Sequence, residues 1–245
     1  MNSSSRTVDA LALNLELPEL HTRRDGMYPP IRYRRPWNRD ELLSLLPNEG
    51  ARVLDVGAGR SPIRVRPQDK LVTVDFEGDA EASVTADVAA SWPFGDQEFD
   101  LVYMSHVLEH FYPADRDAVV RRVYSSLRPG GILFIRVPHK SSFLSTGWEH
   151  FSVYGLSGVS GLCHGHNPML PMFRAVSVGV SLSLDFEIPR TRARAVLETA
   201  LSRYWRLTDT LLCHLVNGIP EVQFMLQRMD SDTERRLRDG PSAYG

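Results

Sequence analysis

Cysteine is scarce in this 245-residue chain, which holds only Cys163 and Cys213. Two such residues build no disulfide framework and have no metal-ligand spacing, so both are expected as reduced, partly buried thiols. Long apolar runs are missing as well: nothing approaches the roughly 18 residues that a membrane-spanning helix requires. Met1–Arg6 is polar and lacks the apolar core of a secretory signal, so the expectation is a soluble, cytoplasmic protein with no membrane partner. An excess of one charge is also absent. A formal net charge of -2 argues against a dedicated nucleic-acid surface. The clusters Arg32, Arg34, Arg35 and Arg190, Arg192, Arg194 read as solvated faces. No internal repeat or low-complexity tract is found.

What is present suffices for one large α/β domain, with 42% hydrophobic residues to fill its core. Residues 1–36 show no sustained strand pattern and are broken by Pro29, Pro30 and Pro36, which predicts a flexible segment or lid. Asn38 is placed to cap a helix through Leu46, with Leu42, Leu43, Leu45 and Leu46 on its buried side. Strands are predicted at Arg52–Val56, Lys70–Asp75, Phe99–Met104 and Gly131–Val137. Helical spacing falls at Val107–Phe111 and Ala114–Leu127. Strand alternating with helix implies a mostly parallel sheet, with ligands beyond the C-terminal strand ends. Pro62 and Pro67 argue against a regular helix between the first two strands. About 140–171 is rich in Gly, Ser, His and Pro and reads as a substrate-covering insertion. A strand over Val176–Leu184, a long helix over Arg190–Asn217 and a strand over Glu221–Arg228 follow. The domain is expected over 37–230, with a polar tail at 231–245.

The stretch Val53-Leu54-Asp55-Val56-Gly57-Ala58-Gly59-Arg60-Ser61 carries the most chemistry. It reads as a buried strand entering a glycine turn, where Gly57 and Gly59 let backbone approach a ligand that a Cβ would exclude. A phosphate-binding turn would avoid the negative charge of Asp55, whereas a cationic, phosphate-free nucleoside such as S-adenosylmethionine suits it. Asp75 ends the next strand, twenty positions on, where an acid can accept from both ribose hydroxyls. Asp87 can accept from an adenine amine, and Val88 can pair with the ring through its backbone.

In this order, the glycine turn, Val74-Asp75, Ala86-Asp87-Val88, Phe99-Asp100-Leu101-Val102, His106-Val107-Leu108-Glu109-His110 and Leu127-Arg128-Pro129-Gly130-Gly131 resemble the class I S-adenosylmethionine-dependent methyltransferases. The subgroup acting on small molecules is the most similar. The resemblance covers roughly residues 40–140. It implies a Rossmann-like three-layer α/β sandwich on a seven-stranded, mostly parallel sheet with the last strand antiparallel. It also implies S-adenosyl-L-methionine as cofactor. Asp55, Gly57 and Gly59 would hold the methionine portion, Asp75 with Phe76 the ribose, and Asp87 and Val88 the adenine. Ser105 and His106 would border the transferring methyl. Ser61 stands where a third small residue is usual, and Pro62 follows it.

Histidine titrates near neutrality and suits removal of a proton from a hydroxyl acceptor. His106, His110, His139 and His150 are candidates, with His106 the first choice and His110 and His150 next. His164 and His166 would lie at the substrate mouth. His106, Glu109 and His110 share one helical face, and His150 could approach from the following loop. This segment resembles the metal-binding segment of the small-RNA 2′-O-methyltransferases and the ubiquinone-pathway O-methyltransferases, which have Glu where this chain has His106. The preferred reading is nonetheless a cap and supporting pair behind the cofactor pocket. A divalent metal is the lesser alternative, and no residue is assigned to one. No Asn-Pro-Pro-Tyr-type tetrapeptide follows Met104, which argues against N-methylation of a base or amide. The expected activity is methyl transfer to a hydroxyl of a small metabolite or glycan. Two rivals are a metal-assisted RNA 2′-O-methyltransferase and a catalytically silent, cofactor-binding partner subunit.

Overall fold

The computed structural model describes residues 32–48, 50–78, 82–163, 173–186, 191–211, 214, 218–230 and 232. Expectations for residues 1–31, for His164 and His166, for Cys213 and for most of the tail lie outside them.

The strands are β1 Arg52–Val56, β2 Lys70–Asp75, β3 Val84–Thr85, β4 Phe99–Ser105, β5 Leu127–Pro138, β6 Phe173–Ser181 and β7 Glu221–Arg228. They form one sheet in the order β3-β2-β1-β4-β5-β7-β6. β1 to β5 pair in parallel, and β7 runs antiparallel to both β5 and β6. The Rossmann-like sheet with its last strand reversed is therefore present.

Period-two alternation sorts the strand residues onto two faces. Leu54, Val56, Val102, Met104, Leu133, Ile135, Phe224 and Leu226 enter one core cluster, under Val119, Val120 and Val123 of helix α2, Pro113–Ser126. Val53, Leu101, Tyr103, Ile132, Phe134 and Met225 enter the other, with Leu42, Leu43 and Leu46. Each fully buried Leu or Phe contributes roughly 1.5–3 kcal/mol. Helix α1, Arg39–Leu43, begins at Asn38, whose side chain accepts from Glu41 N while Glu41 reaches back to Asn38 N. Such a cap is worth about 1 kcal/mol.

Residues 57–69 contain no helix. Besides the two prolines, Asp69 fixes this connection by accepting from Ala51 N and from the Arg66 guanidinium. With a loop in place of that helix, Phe186 packs on the α1 face of the sheet against Tyr103 and Phe134.

Several elements differ from expectation. Val107–Phe111 holds only a 3-10 turn, Leu108–His110, because His106 takes a left-handed φ of 55°. α1 stops at Leu43, with Leu45 only half-buried. β6 begins and ends three residues earlier, and the short β3 had no periodic signal. The long helix is two: α4, Arg192–Arg203, and α5, Trp205–Thr210, broken at Tyr204 (φ -94°, ψ 41°). The break turns Asp209 inward, where its carboxylate accepts from Leu156 N, Ser157 N and Ser157 Oγ. Between β5 and β6, helix α3, Ser160–Cys163, follows a 3-10 turn at Leu156–Val159.

Candidate functional site

Gly57 and Gly59 both have left-handed backbones, φ 69° and 53°. A Cβ on Gly57 would come within 2.2 Å of Val107 Cγ2, so this position excludes every side chain. The turn is pinned from below: Gly57 N donates to Val74 O at 2.8 Å, and Gly59 N donates to Asp75 Oδ2 at 2.8 Å. Asp75 Oδ1 accepts from Glu77 N at 3.0 Å. Asp55 Oδ2 accepts from Ile63 N at 2.7 Å, which ties down the far end of the loop.

Two clefts meet at Gly57, which lines both. The first, about 610 Å³, is walled by Asp75, Phe76, Asp87, Val88, His110 and Phe151. The second, about 910 Å³, is walled by Asp55, Gly59, Ser105, His106, Arg136 and Phe186. The residues expected at ribose and adenine thus fall in the smaller cleft, and those expected at the methionine end fall in the larger. Phe76 is 73% exposed, a free ring face at the smaller cleft. Tyr112 and Phe151 stack beside it, 4.0 Å between centroids.

The floor of the larger cleft is polar because strand register aligns polar residues at the C-terminal strand ends. Asp55 pairs with Tyr103, Ser105 with Arg136, and Arg136 with Gln223. Arg136 donates to Tyr103 Oη at 2.9 Å and Ser105 Oγ at 3.2 Å, and its guanidinium lies 2.6 Å from Glu221 Oε2. Arg136 and Glu221 are both buried, so each charge depends on the other. Neither was singled out from sequence. The available signal was a charge interrupting an apolar strand, in Phe134-Ile135-Arg136-Val137 and in Glu221-Val222-Gln223-Phe224.

His106 sits at the strand end as expected, between two carboxylates. Its Nε2 lies 3.2 Å from Glu221 Oε2 and its Nδ1 lies 3.4 Å from Glu109 Oε1. Burial alone would lower its pKa, but the two carboxylates outweigh burial and raise it to about 9. The raised value favours the imidazolium at neutral pH in the cofactor-free protein and leaves a minor neutral fraction that carries a lone pair. Burial pushes the Asp55 carboxyl the other way, up to about 7, against the Ile63 N–H that favours its ionised form.

The other histidines separate. His139 is fully buried, its Nδ1 2.8 Å from Ser141 Oγ and its Nε2 3.1 Å from Asp209 Oδ1. It lines neither cleft and braces the loops. His110 and His150 meet edge to face, with centroids 4.7 Å apart, on the smaller cleft's side. Among the described residues, no helix is long and apolar enough to cross a membrane.

A family model described as a methyltransferase domain matches residues 31–170. The chain belongs to this methyltransferase family, whose class I members use S-adenosylmethionine. An uncharacterised methyltransferase of Synechocystis sp. (strain ATCC 27184 / PCC 6803 / Kazusa) is 36% identical over 62 residues, which is 25% of this chain and 29% of that relative. The match therefore spans under a third of the relative's length. A chain in the solved complex of the Haloferax volcanii Trm112 methyltransferase activator with a candidate methyltransferase superposes at TM-score 0.51. It shares 14% identity over 79% of this chain and 89% of that one, and so shares the fold. A SAM-dependent methyltransferase from Archaeoglobus fulgidus gives TM-score 0.48 and 16% identity, over 73% of this chain and 86% of that one.

Proposed function

We propose that this member of the family binds S-adenosylmethionine across Gly57 and transfers its methyl group to a hydroxyl of a small metabolite or glycan. The observation that carries the reading is the meeting of two clefts at a residue that admits no side chain. Asp75, Phe76, Asp87 and Val88 receive the adenosine on one side. Asp55, Gly59 and Ser105 receive the methionine end on the other. Asp75 releases Gly59 N and Glu77 N to take the ribose hydroxyls, and the ammonium group of the cofactor pairs with ionised Asp55.

Methyl transfer from a sulfonium is an in-line displacement, so the protein's main task is alignment of donor and acceptor. The larger cleft extends past the methionine end to Leu144, Leu184 and Phe186, which leaves room for an acceptor. Its wall carries Arg60, Arg64, His106 and Arg136 against Asp55 and Asp185. Glu221 lies against Arg136 and, with Glu109, against His106, so the wall is close to balanced in charge and suits a polar acceptor. As the C–O bond forms and the S–CH3 bond breaks, the acceptor's hydroxyl proton passes to the neutral form of His106, which lines this cleft.

The test is calorimetric titration of the protein and of Asp75→Ala with S-adenosylmethionine, followed by transfer of labelled methyl to fractionated metabolites. Loss of two ribose hydrogen bonds lowers affinity at least about tenfold. Unchanged binding by D75A would remove the ribose assignment. Binding without transfer to any fraction would favour a silent partner subunit.

A further inference from the structure

Three metal-ligating side chains converge just beyond β4. Glu109 and His110 stand on the Leu108–His110 turn, and His150 reaches over from the loop that follows β5. One carboxylate oxygen and one nitrogen from each ring all lie within 4.8 Å of one another. Glu109 is 1% exposed, yet neither of its oxygens accepts a hydrogen bond among the described residues. Oε1 has a charged neighbour in His106, whose Nδ1 lies 3.4 Å away and whose Nε2 lies on Glu221, whereas Oε2 faces no such group among the described residues. His150 Nδ1 is likewise buried without a hydrogen-bond partner. Two unsatisfied buried polar groups at one point call for an explanation.

His110 supplies a further clue. Its Nδ1 lies 3.2 Å from the Glu149 carbonyl oxygen, which can only accept. Nδ1 therefore carries the proton, and Nε2 presents a lone pair. Metal-binding imidazoles are commonly held in this way, one nitrogen on a carbonyl and the other on the ion.

We propose that Glu109, His110 and His150 bind one divalent transition-metal ion of the zinc class. Two imidazoles and one carboxylate make a borderline donor set, whereas magnesium and calcium prefer oxygen alone. Three protein ligands leave a coordination position for water. The ion joins segments about 40 residues apart, which already touch through Phe151 N donating to Glu109 O at 2.8 Å. His110, Glu149 and Phe151 all line the smaller cleft. The ion is therefore a staple that holds segment 147–151 against the wall of the cofactor cleft, and it slows cofactor release. Binding of the ion itself does not depend on the proposed methyl transfer.

The test uses the full chain freed of metal with a chelator and titrated with Co²⁺, then with Zn²⁺. One-to-one binding with visible ligand-field bands, displaced by Zn²⁺, is expected. Glu109→Gln and His150→Gln each lower Zn²⁺ affinity at least tenfold, while His214→Ala, an exposed residue outside the cluster, leaves it unchanged. His150→Gln alters only a half-buried loop residue, so it decides the matter if Glu109→Gln fails to fold. Stopped-flow release of S-adenosylmethionine quickens several-fold on chelation of the wild type and not of H150Q. The proposal is overturned by a Co²⁺ spectrum identical to that of the aqueous ion, by equal Zn²⁺ affinity in H150Q, or by cofactor release that ignores chelation.

Discussion

Burial removes the hydration that an ionised Asp55 would need, and one hydrogen bond from Ile63 N offsets only part of that loss. In the absence of cofactor the carboxyl is therefore half neutral near pH 7. On the proposed function, the ionised carboxylate pairs with the ammonium group of the cofactor, which would account for a charge kept at a buried position against stability. Asp55→Asn retains an oxygen that accepts from Ile63 N and removes the charge. At pH 8 this variant is expected to gain on the order of 2 kcal/mol of cofactor-free stability, read from urea unfolding. It should also lose about tenfold or more in S-adenosylmethionine affinity, by calorimetry. A variant that binds the cofactor as tightly as wild type would show that Asp55 serves the turn and not the ligand. His106 is the other informative residue. A left-handed φ at a non-glycine position costs about 1–2 kcal/mol. It is held by His106 N donating to Arg136 O at 2.8 Å and by carboxylates on both ring nitrogens.

At the scale of elements, the edge of the sheet depends on a glycine. Residues 32–34 run along β6, with Val178 N donating to Arg32 O and Arg34 N to Val178 O, each at 2.9 Å. Trp37 Nε1 adds a bond to Ser177 Oγ at 2.7 Å. A Cβ on Gly179 would lie 2.4 Å from Arg34 O, a backbone atom with nowhere to move. Gly179→Ala is expected to lift this segment, lower stability by about 1–3 kcal/mol in urea unfolding, and expose β6 as an unpaired edge prone to association. An unchanged midpoint together with a monodisperse sedimentation profile would refute this. Neither the contact nor the glycine's part in it was legible in the sequence, because it joins residues about 145 positions apart. What was legible has a local cause. β1, β2 and β7 fall on their expected residues, since alternation and turn residues bound them on both sides. The loop in place of a first crossover helix was announced by Pro62 and Pro67. The α4–α5 break was hidden because Asp209 of α5 finds its hydrogen-bond partners on a distant loop, at Leu156 and Ser157. The cofactor-side acids were readable as an ordered series. The Arg136–Glu221 pair was not, because only sheet register brings β5 and the antiparallel β7 together.

At the scale of the molecule, three ionisable groups, two of them buried, give the cofactor-free fold an asymmetric response to pH. Asp209 is held at about 2 against its own burial by His139 and by the backbone N–H groups of Ser157 and Leu156. Its contribution is complete above the ordinary value of 3.8 and is lost as pH falls towards 2. Asp55, raised to about 7, acts in the opposite sense: the folded protein holds a proton that the unfolded chain has released, so stability declines as pH rises from about 4 to 7. His106, raised to about 9, contributes fully below its ordinary value of 6.5 and loses that contribution as pH climbs through 9. Taken together, these groups place the melting maximum of the free protein on the acid side of neutrality, near pH 4–5, with a decline of several degrees by pH 9. Saturating S-adenosylmethionine changes the shape of that curve as well as its height. The cofactor stabilises the form it binds; on the proposed function that form has Asp55 ionised, so the thermal shift it produces is expected to grow between about pH 5.5 and 7.5. In Asp55→Asn the shift is smaller and flat over the same interval. A cofactor-induced shift in the wild type that is equal at the two pH values would separate Asp55 from the ligand, and would return the larger cleft to whatever else its wall attracts.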